Sequence, residues 1–497
     1  MERNLSVLMV SAEAHPLAKV GGLADVMGAL PRALAKRGHN VRIALPFYKT
    51  VKDTGISVSR LKGIDVLDVT MGDVAVPAEI WVGKLPGSKI EVLLIGNDDF
   101  FGRDGIYTDP KTGEAYNDNA ERFIFFSRAV FQLINFLKRR PNLIHCHDHQ
   151  TGFIPAWIRY APGQAGLPED LRTVFTIHNL AYQGSYPKEV GYKAGFGEDV
   201  LKPMGAVEFH GEVNLMKAGI SFADTITTVS PTYGKEIQTA EFGYGLEGIL
   251  KARSEHLFGI LNGADYSVWD PDSDKLIPHT YNRSKPEGKR KCRQHLIERF
   301  ALDTGEETPL IGIVSRLVAQ KGFDILSEVF DKIMALDTGI VILGLGDKHY
   351  HDLLTAAAKR FPGKVSVNLD FNEELAHQIE AGCDMFLMPS KYEPCGLNQM
   401  YSMKYGTVPI VRKTGGLADT VIDFDASDES TGFVFDEYTS GALLEAVRRA
   451  RQVFADRAQW DRLVDRAMAQ DFSWERSAES YEDVYRATMR RRVVTAS

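Results

Sequence analysis

At 497 residues the chain is too long for one hydrophobic core and divides into two domains or three. Its 44% hydrophobic and 25% charged content is that of an ordinary globular protein, and a net charge of −8 argues against broad nucleic-acid binding, which needs a basic face. No run approaches the roughly 18 apolar residues of a membrane span, and the start, Met1-Glu2-Arg3-Asn4, lacks the long apolar region and cleavage site of a signal peptide.

Residues 5–10 form an apolar, strand-like run that leads to Lys19-Val20-Gly21-Gly22-Leu23-Ala24-Asp25. A glycine pair opening a helix lets backbone N–H groups approach an anion, and the helix N-terminus carries partial positive charge. Strand-like runs follow at 40–45, 91–95, 143–146, 172–177 and 225–228, alternating with amphipathic helical patterns. In the second half they recur at 310–314, 339–343, 364–368, 385–388 and 408–411. Such continuous Val/Ile/Leu runs predict buried parallel strands in βα units. Two such halves predict an α/β protein of two doubly wound, Rossmann-like domains, with ligands bound at the carboxyl ends of the strands.

The join falls near 256–270, where Gly259-Ile260-Leu261-Asn262-Gly263 runs into the turn Trp269-Asp270-Pro271-Asp272. After the run at 408–411 comes Lys413-Thr414-Gly415-Gly416-Leu417-Ala418-Asp419, a near copy of the first glycine phrase. One glycine pair reads as turn chemistry between a strand and a helix. Two copies, each with a Lys before the glycines and an Asp in the first helical turn, point to a charged ligand gripped from two lobes. The tail from Trp474 is a charged helical pattern without a strand partner.

Three further phrases stand at strand ends. Ser315-Arg316-Leu317-Val318-Ala319-Gln320-Lys321-Gly322 follows the run at 310–314, placing the cations Arg316 and Lys321 where they suit a diphosphate. Glu393-Pro394-Cys395-Gly396-Leu397 follows 385–390. Its carboxylate suits sugar hydroxyls and the N–H groups of Gly396 and Leu397 suit a ligand; alternatively Glu393 caps a helix with Pro394 at its first position. Thr176-Ile177-His178-Asn179-Leu180-Ala181-Tyr182-Gln183-Gly184 puts His178 at a strand tip, in a structural or a functional role.

In His145-Cys146-His147-Asp148-His149 an extended strand would put the three histidines on one face, a geometry that rarely converges on a metal, so no metal site is expected. Cys395 has no evident basic partner and reads as a packing or contact residue rather than a nucleophile. The four cysteines, Cys146, Cys292, Cys383 and Cys395, show no paired spacing, as in a reducing cytoplasm.

Taken together, the phrases at 19–25, 178–184, 259–263, 315–322, 393–397 and 414–419, with Tyr116-Asn117-Asp118-Asn119-Ala120-Glu121-Arg122-Phe123, resemble the bacterial glycogen synthase and plant starch synthase family. The resemblance runs from about Leu5 to Tyr485. It implies the GT-B fold: two Rossmann-like domains facing across a deep cleft, at 1–258 and 259–473, and a C-terminal helix at 474–497 that crosses back to the first domain. It implies a retaining glucosyltransferase that moves glucose from ADP-glucose to the non-reducing end of an α-1,4-glucan, without a cofactor, metal, membrane or nucleic acid.

By the same resemblance, Lys19, Gly21, Gly22 and Asp25 lie at the donor's phosphate and sugar. His178 lies by the anomeric centre, with Asn179 shaping the site and Asp148 touching donor or acceptor. Arg316 and Lys321 hold the diphosphate, and Glu393 bonds the glucose hydroxyls. Asn262, Cys395, Gly396, Leu397, Thr414, Gly415 and Gly416 complete the substrate-binding set. Three departures stand out: Val20 replaces the usual Thr, Phe371 stands where a base-stacking Tyr is frequent, and His149 replaces a common Trp. UDP-glucose as donor, a small-sugar acceptor, or a non-catalytic glucan-binding protein are the alternative readings.

Overall fold

The computed structural model describes residues 4–160, 166–168 and 170–491; residues 1–3 of the expected N-terminal start and 492–497 of the expected terminal helix lie outside them. Contacts divide the chain into two units. The first runs to Val229, resumes over Gly234–Ile260 and takes in the chain from Trp474; the second comprises Leu261–Ser473 together with Ser230–Tyr233.

Unit 1 carries strands β1 (Ser6–Val10), β2 (Asn40–Pro46), β3 (Ser59–Arg60), β4 (Leu67–Met71), β5 (Val74–Lys84), β6 (Glu91–Gly96), β7 (Leu143–His147) and β8 (Arg172–Ile177). It continues through β9 (Ser185–Tyr186), β10 (Glu208–Phe209), β11 (Glu212–Asn214), β12 (Thr225–Thr228) and β13 (Leu257–Gly259). The main sheet has the order β13-β12-β8-β7-β1-β2-β6-β5-β3, with β4 on β5. Every residue of β1 is buried, and it runs parallel between β2 and β7, which is why it reads as one apolar run with no alternation.

The antiparallel extension β3–β5 lies outside the expected set. In β4 burial alternates residue by residue, the mark of a sheet with one solvated face. The strands β9–β11 form a small separate sheet. The Trp474–Arg490 helix packs on the Gly22–Lys36 helix and on β8 within unit 1. Its Tyr485 hydroxyl lies 2.7 Å from His145 Nδ1, and its Thr488 lies 2.7 Å from Thr225.

Unit 2 carries β14 (Leu310–Val314), β15 (Gly339–Leu343), β16 (Val365–Asn368), β17 (Met385–Met388), β18 (Val408–Arg412) and β19 (Phe433–Phe435). They pair in parallel in the order β16-β15-β14-β17-β18-β19. Three residues are too few for a periodic pattern, so β19 has no signature in the sequence. Among the described residues no helix is long and apolar enough to cross a membrane.

In each unit the chain winds outward from one central strand and then returns to its other side. The reversal lies between β1 and β7 in unit 1 and between β14 and β17 in unit 2. Loops diverge at such a point, so the carboxyl ends of those strands are where an open α/β sheet forms a ligand crevice.

Candidate active site

The half-site of unit 1 grows from the ends of β1, β7 and β8. After β1 the chain reaches Glu13 and then the first glycine phrase, with Gly21 as the N-cap of the Gly22–Lys36 helix. The Glu13 carboxylate braces the turn that leads into that helix: the N–H groups of Val20 and Gly21 donate to Oε2 at 2.7 and 2.9 Å. The Tyr107 hydroxyl donates to its Oε1 at 2.8 Å. Burial raises the Glu13 pKa, and the three hydrogen bonds oppose the rise. A single Glu in Ser11-Ala12-Glu13-Ala14 matches no motif, so sequence reading passed it by.

Lys19 pairs with Asp25 at 2.6 Å, and both stay partly open to solvent. A Cβ at Gly21 or Gly22 would meet nothing within 4 Å, so the backbone faces open space there. Glu13 also feels the charge of Asp25, and Asp148 feels that of Glu13, which places the ends of β1 and β7 in one electrostatic neighbourhood.

Asp148 follows β7 with a φ of 55°, a region that non-glycine residues rarely occupy away from functional sites. The His178 N–H donates to its Oδ1 at 2.7 Å, and Asn179 adds a second backbone N–H. Desolvation nevertheless lifts the Asp148 carboxyl to about 7. His178, at the tip of β8, is 9% exposed, and burial lowers its imidazole to about 3, so the ring is neutral. Asn179 turns its side-chain oxygen back onto the Ala181 N–H.

Strand alternation was expected to line up His145, His147 and His149. It ends at His147, because the Asp148 backbone breaks the extension and His149 opens the short His149–Thr151 turn. His145 and His147 do share a face, with ring centroids 4.0 Å apart. His149 instead lies against Gly184, where a Cβ would come within 2.5 Å of its ring. Among the described residues no cluster of three His, Cys, Asp or Glu side chains could hold a metal ion.

The half-site of unit 2 grows from β14 and β17. Arg316, just past β14, is exposed, and the chain then turns through Ala319–Lys321. Gly322 has a φ of 81° and lies so close to the Pro389 carbonyl that a Cβ would come within 2.0 Å of its oxygen. That close approach brings the loop after β14 onto the loop after β17. Lys321 Nζ then stands 2.6 Å from Glu393 Oε2, and the Ser390 hydroxyl donates to the same oxygen at 3.0 Å. The helix expected to start at Pro394 starts at Asn398, so Glu393 is not a cap and its carboxylate belongs to the loop.

Cys395 is buried and its thiol is pushed up to about 12, which removes it as a nucleophile. A backbone hydrogen bond joins it to Asn262, itself buried, with Oδ1 lacking a partner. Gly396 takes a φ of 71°, and Leu397 is the N-cap of the Asn398–Lys404 helix. Phe371 stands apart from these contacts, with 79% of its surface exposed.

The second glycine phrase does a different job from the first. Gly415 and Gly416 are buried beneath the Glu393–Cys395 segment: Cβ atoms there would come within 1.9 Å of the Glu393 carbonyl and 2.1 Å of the Cys395 carbonyl. The Gly416 N–H is already spent on the Glu393 and Pro394 carbonyls at 3.2 Å. The expected presentation of a second N–H cradle to a ligand is therefore corrected: Thr414, the N-cap, and the two glycines form a seat for Glu393. The flanking charges differ as well. Asp419 accepts from the Thr232 N–H and hydroxyl at 2.8 and 2.6 Å, while Lys413 pairs with Asp436 at 3.3 Å.

Comparison with known proteins agrees with this architecture. The family model described as starch synthase catalytic domain matches residues 6–252, and the model for glycosyl transferases group 1 matches residues 295–462. The glycogen synthase of Geotalea daltonii is 45% identical over 489 residues, covering 98% of this chain and 99% of that one. The glycogen synthase of Moorella thermoacetica is 42% identical over 495 residues, covering 99% and 98%. Among solved structures, the catalytic domain of starch synthase IV from Arabidopsis thaliana, bound to ADP and acarbose, matches with a TM-score of 0.89 and 33% identity over 98% of this chain and 100% of that one. The ends of β1, β7, β8, β14 and β17 thus carry their polar residues on two Rossmann-like units, and the chain belongs to the glycogen synthase and starch synthase family of glycosyltransferases.

Proposed function

We propose that the protein transfers glucose from ADP-glucose to the non-reducing 4-hydroxyl of an α-1,4-glucan, retains the α configuration and releases ADP. The observation that carries this reading is the Lys321–Glu393–Ser390 cluster at the switch point of unit 2, with exposed Arg316 on the neighbouring strand end. It combines cations for a diphosphate with a fixed carboxylate for sugar hydroxyls. The ADP and acarbose in the related starch synthase agree with a nucleotide and a glucan-like ligand.

In this reading Arg316 and Lys321 hold the diphosphate and neutralise the charge that grows as it leaves. Glu393 bonds glucose hydroxyls, and Asn262, Cys395, Gly396 and Leu397 line the sugar, with Thr414, Gly415 and Gly416 beneath them. Phe371 stacks on the base. In unit 1, Lys19, Gly21, Gly22 and Asp25 serve the phosphate and sugar, and Asp148, His178 and Asn179 the reacting centre.

Asp148 and Glu393, the carboxylates assigned to the reacting centre and the glucose, are both already engaged. Asp148 accepts two backbone N–H groups, and Glu393 is held by Lys321 and Ser390. We therefore favour front-face attack: the anomeric C–O bond to the diphosphate breaks, the leaving oxygen accepts the 4-hydroxyl proton, and the new glycosidic bond forms on the same face. A reducing cytoplasmic setting fits the four buried, unpaired cysteines. Extension of maltoheptaose from ADP-glucose, followed by NMR of the anomeric protons, tests the reading. New α-1,4 linkages support it; β linkages, or a covalent glucosyl adduct on Glu393 or Asp148, would overturn the front-face route.

A further inference from the structure

His178 meets His147 ring to ring at the floor of the unit 1 half-site. His147 Nδ1 lies 2.9 Å from His178 Nε2, and the ring centroids are 5.2 Å apart. His147 is fully buried, and its other nitrogen, Nε2, has no partner. The ring stacked on it, His145, offers no relief: its Nδ1 faces the Tyr485 hydroxyl and its Nε2 faces the Thr176 hydroxyl.

Two neutral arrangements satisfy the shared contact. If His178 donates, His147 must carry its own proton on Nε2, leaving a buried N–H with no acceptor. If His147 donates from Nδ1, its bare Nε2 lone pair is what goes unpaired. Orphaned buried donors are rarer in folded proteins than under-used acceptors, so the second arrangement is the favoured one.

We propose that His147 is a positioning residue, donating from Nδ1 to Nε2 of His178 and so fixing the His178 proton on Nδ1. The inference rests on the reading of His178 as an active-site residue. Burial holds both rings neutral, so each has one proton to place. His178 Nδ1 takes no hydrogen bond among the described residues, and the residue keeps 9% of its surface exposed. The half-site therefore meets its ligand with an N–H donor at this point, suited to a hydroxyl or phosphate oxygen, and not with a bare lone pair. The Tyr485–His145 contact supports the stack from behind, which links the terminal helix to the orientation of His178.

The test is the tautomer itself. Protein labelled with 15N at histidine, with the His178 signals identified by their loss in His178→Gln, gives the protonated nitrogen directly from long-range 1H–15N spectra. A His178 ring protonated on Nδ1 is expected; protonation on Nε2 overturns the proposal. In parallel, His147→Asn keeps an N–H close to the Nδ1 position, and His147→Leu removes it. The Asn variant should stay within about threefold of wild-type kcat, and the Leu variant should lose about tenfold or more at little-changed KM, with the His178 tautomer redistributed. A Leu variant with wild-type kcat and an unchanged tautomer overturns the positioning role. If the Leu variant does not fold, the wild-type spectrum decides. Full activity in His178→Gln beside a clear Nδ1–H signal would remove His178 from the active site while confirming the tautomer.

Discussion

Lys321 Nζ stands 2.6 Å from Oε2 of Glu393, and the two side chains are only 18% and 9% exposed. Each is the counter-charge of the other in a site with little water, so removing one leaves a buried charge without its partner. Lys321→Ala should lower kcat/KM for the sugar nucleotide by about a hundredfold or more and should also lower the melting temperature. Wild-type kinetics in this variant would remove the pair from the active site.

The two glycine phrases separate in the same kind of experiment. Gly415→Ala forces a Cβ into the Glu393 carbonyl, 1.9 Å away, in a buried segment. It should cost about 1–3 kcal/mol of stability, read by denaturant titration, and depress turnover by displacing Glu393. Gly21→Ala adds a Cβ that meets nothing, at an extended φ of −140°. That variant should keep wild-type stability and lose affinity for ligand. Equal destabilisation by both substitutions would contradict the division of labour.

Asp148 gives stability a defined pH dependence. Its carboxyl is lifted from 3.8 to about 7, so between those values the folded protein keeps a proton that the unfolded chain has lost. Its contribution is complete below the lower value, falls as pH rises, and is lost above the higher one. His178 runs the other way, with a folded value of about 3 against 6.5: its contribution is full above 6.5 and is lost as pH falls toward 3. Asp148→Asn removes the first component, so its melting temperature relative to wild type should rise between about pH 5 and about pH 8. A difference that does not change with pH would contradict the shift.

Phe371 is a flat, exposed ring with no hydroxyl, just past β16. Stacking on a base contributes about 1–3 kcal/mol, so Phe371→Ala should raise KM for ADP-glucose by roughly tenfold or more with kcat little changed. An unchanged KM would place the base elsewhere.

The parallel strands were legible almost residue by residue, because strands buried on both faces are written as continuous apolar runs; β8, β12, β14, β15 and β17 match their expected bounds, and β1 starts one residue inside its run. The antiparallel strands β3–β5 were not, since one face is solvated and their alternation is short. Lys321 and Glu393 stood out by their place at strand ends, but their ion pair depends on Gly322 passing under Pro389, a contact between distant segments that no local pattern encodes. Glu13 was invisible for the same reason: only folding brings it to the N–H groups of Val20 and Gly21 and to Tyr107. The two glycine phrases misled in the opposite sense. The same sequence pattern, a glycine pair opening a helix, presents open backbone in one place and a packed seat in the other. The helix begins one position earlier relative to the pair in the second phrase, and what the rest of the chain puts above each pair differs.

The most direct measurement is incorporation of radiolabelled glucose into glycogen, from ADP-glucose and UDP-glucose in parallel, with EDTA present. With Arg316 and Lys321 proposed as the cations for the diphosphate, the rate is expected to be unchanged by the chelator. On the proposed donor assignment, polymer should be labelled from ADP-glucose in preference to UDP-glucose. Labelling mainly from UDP-glucose would contradict the donor assignment, loss of activity in EDTA would contradict the role of the two cations, and no labelled polymer from either donor would contradict the proposed reaction.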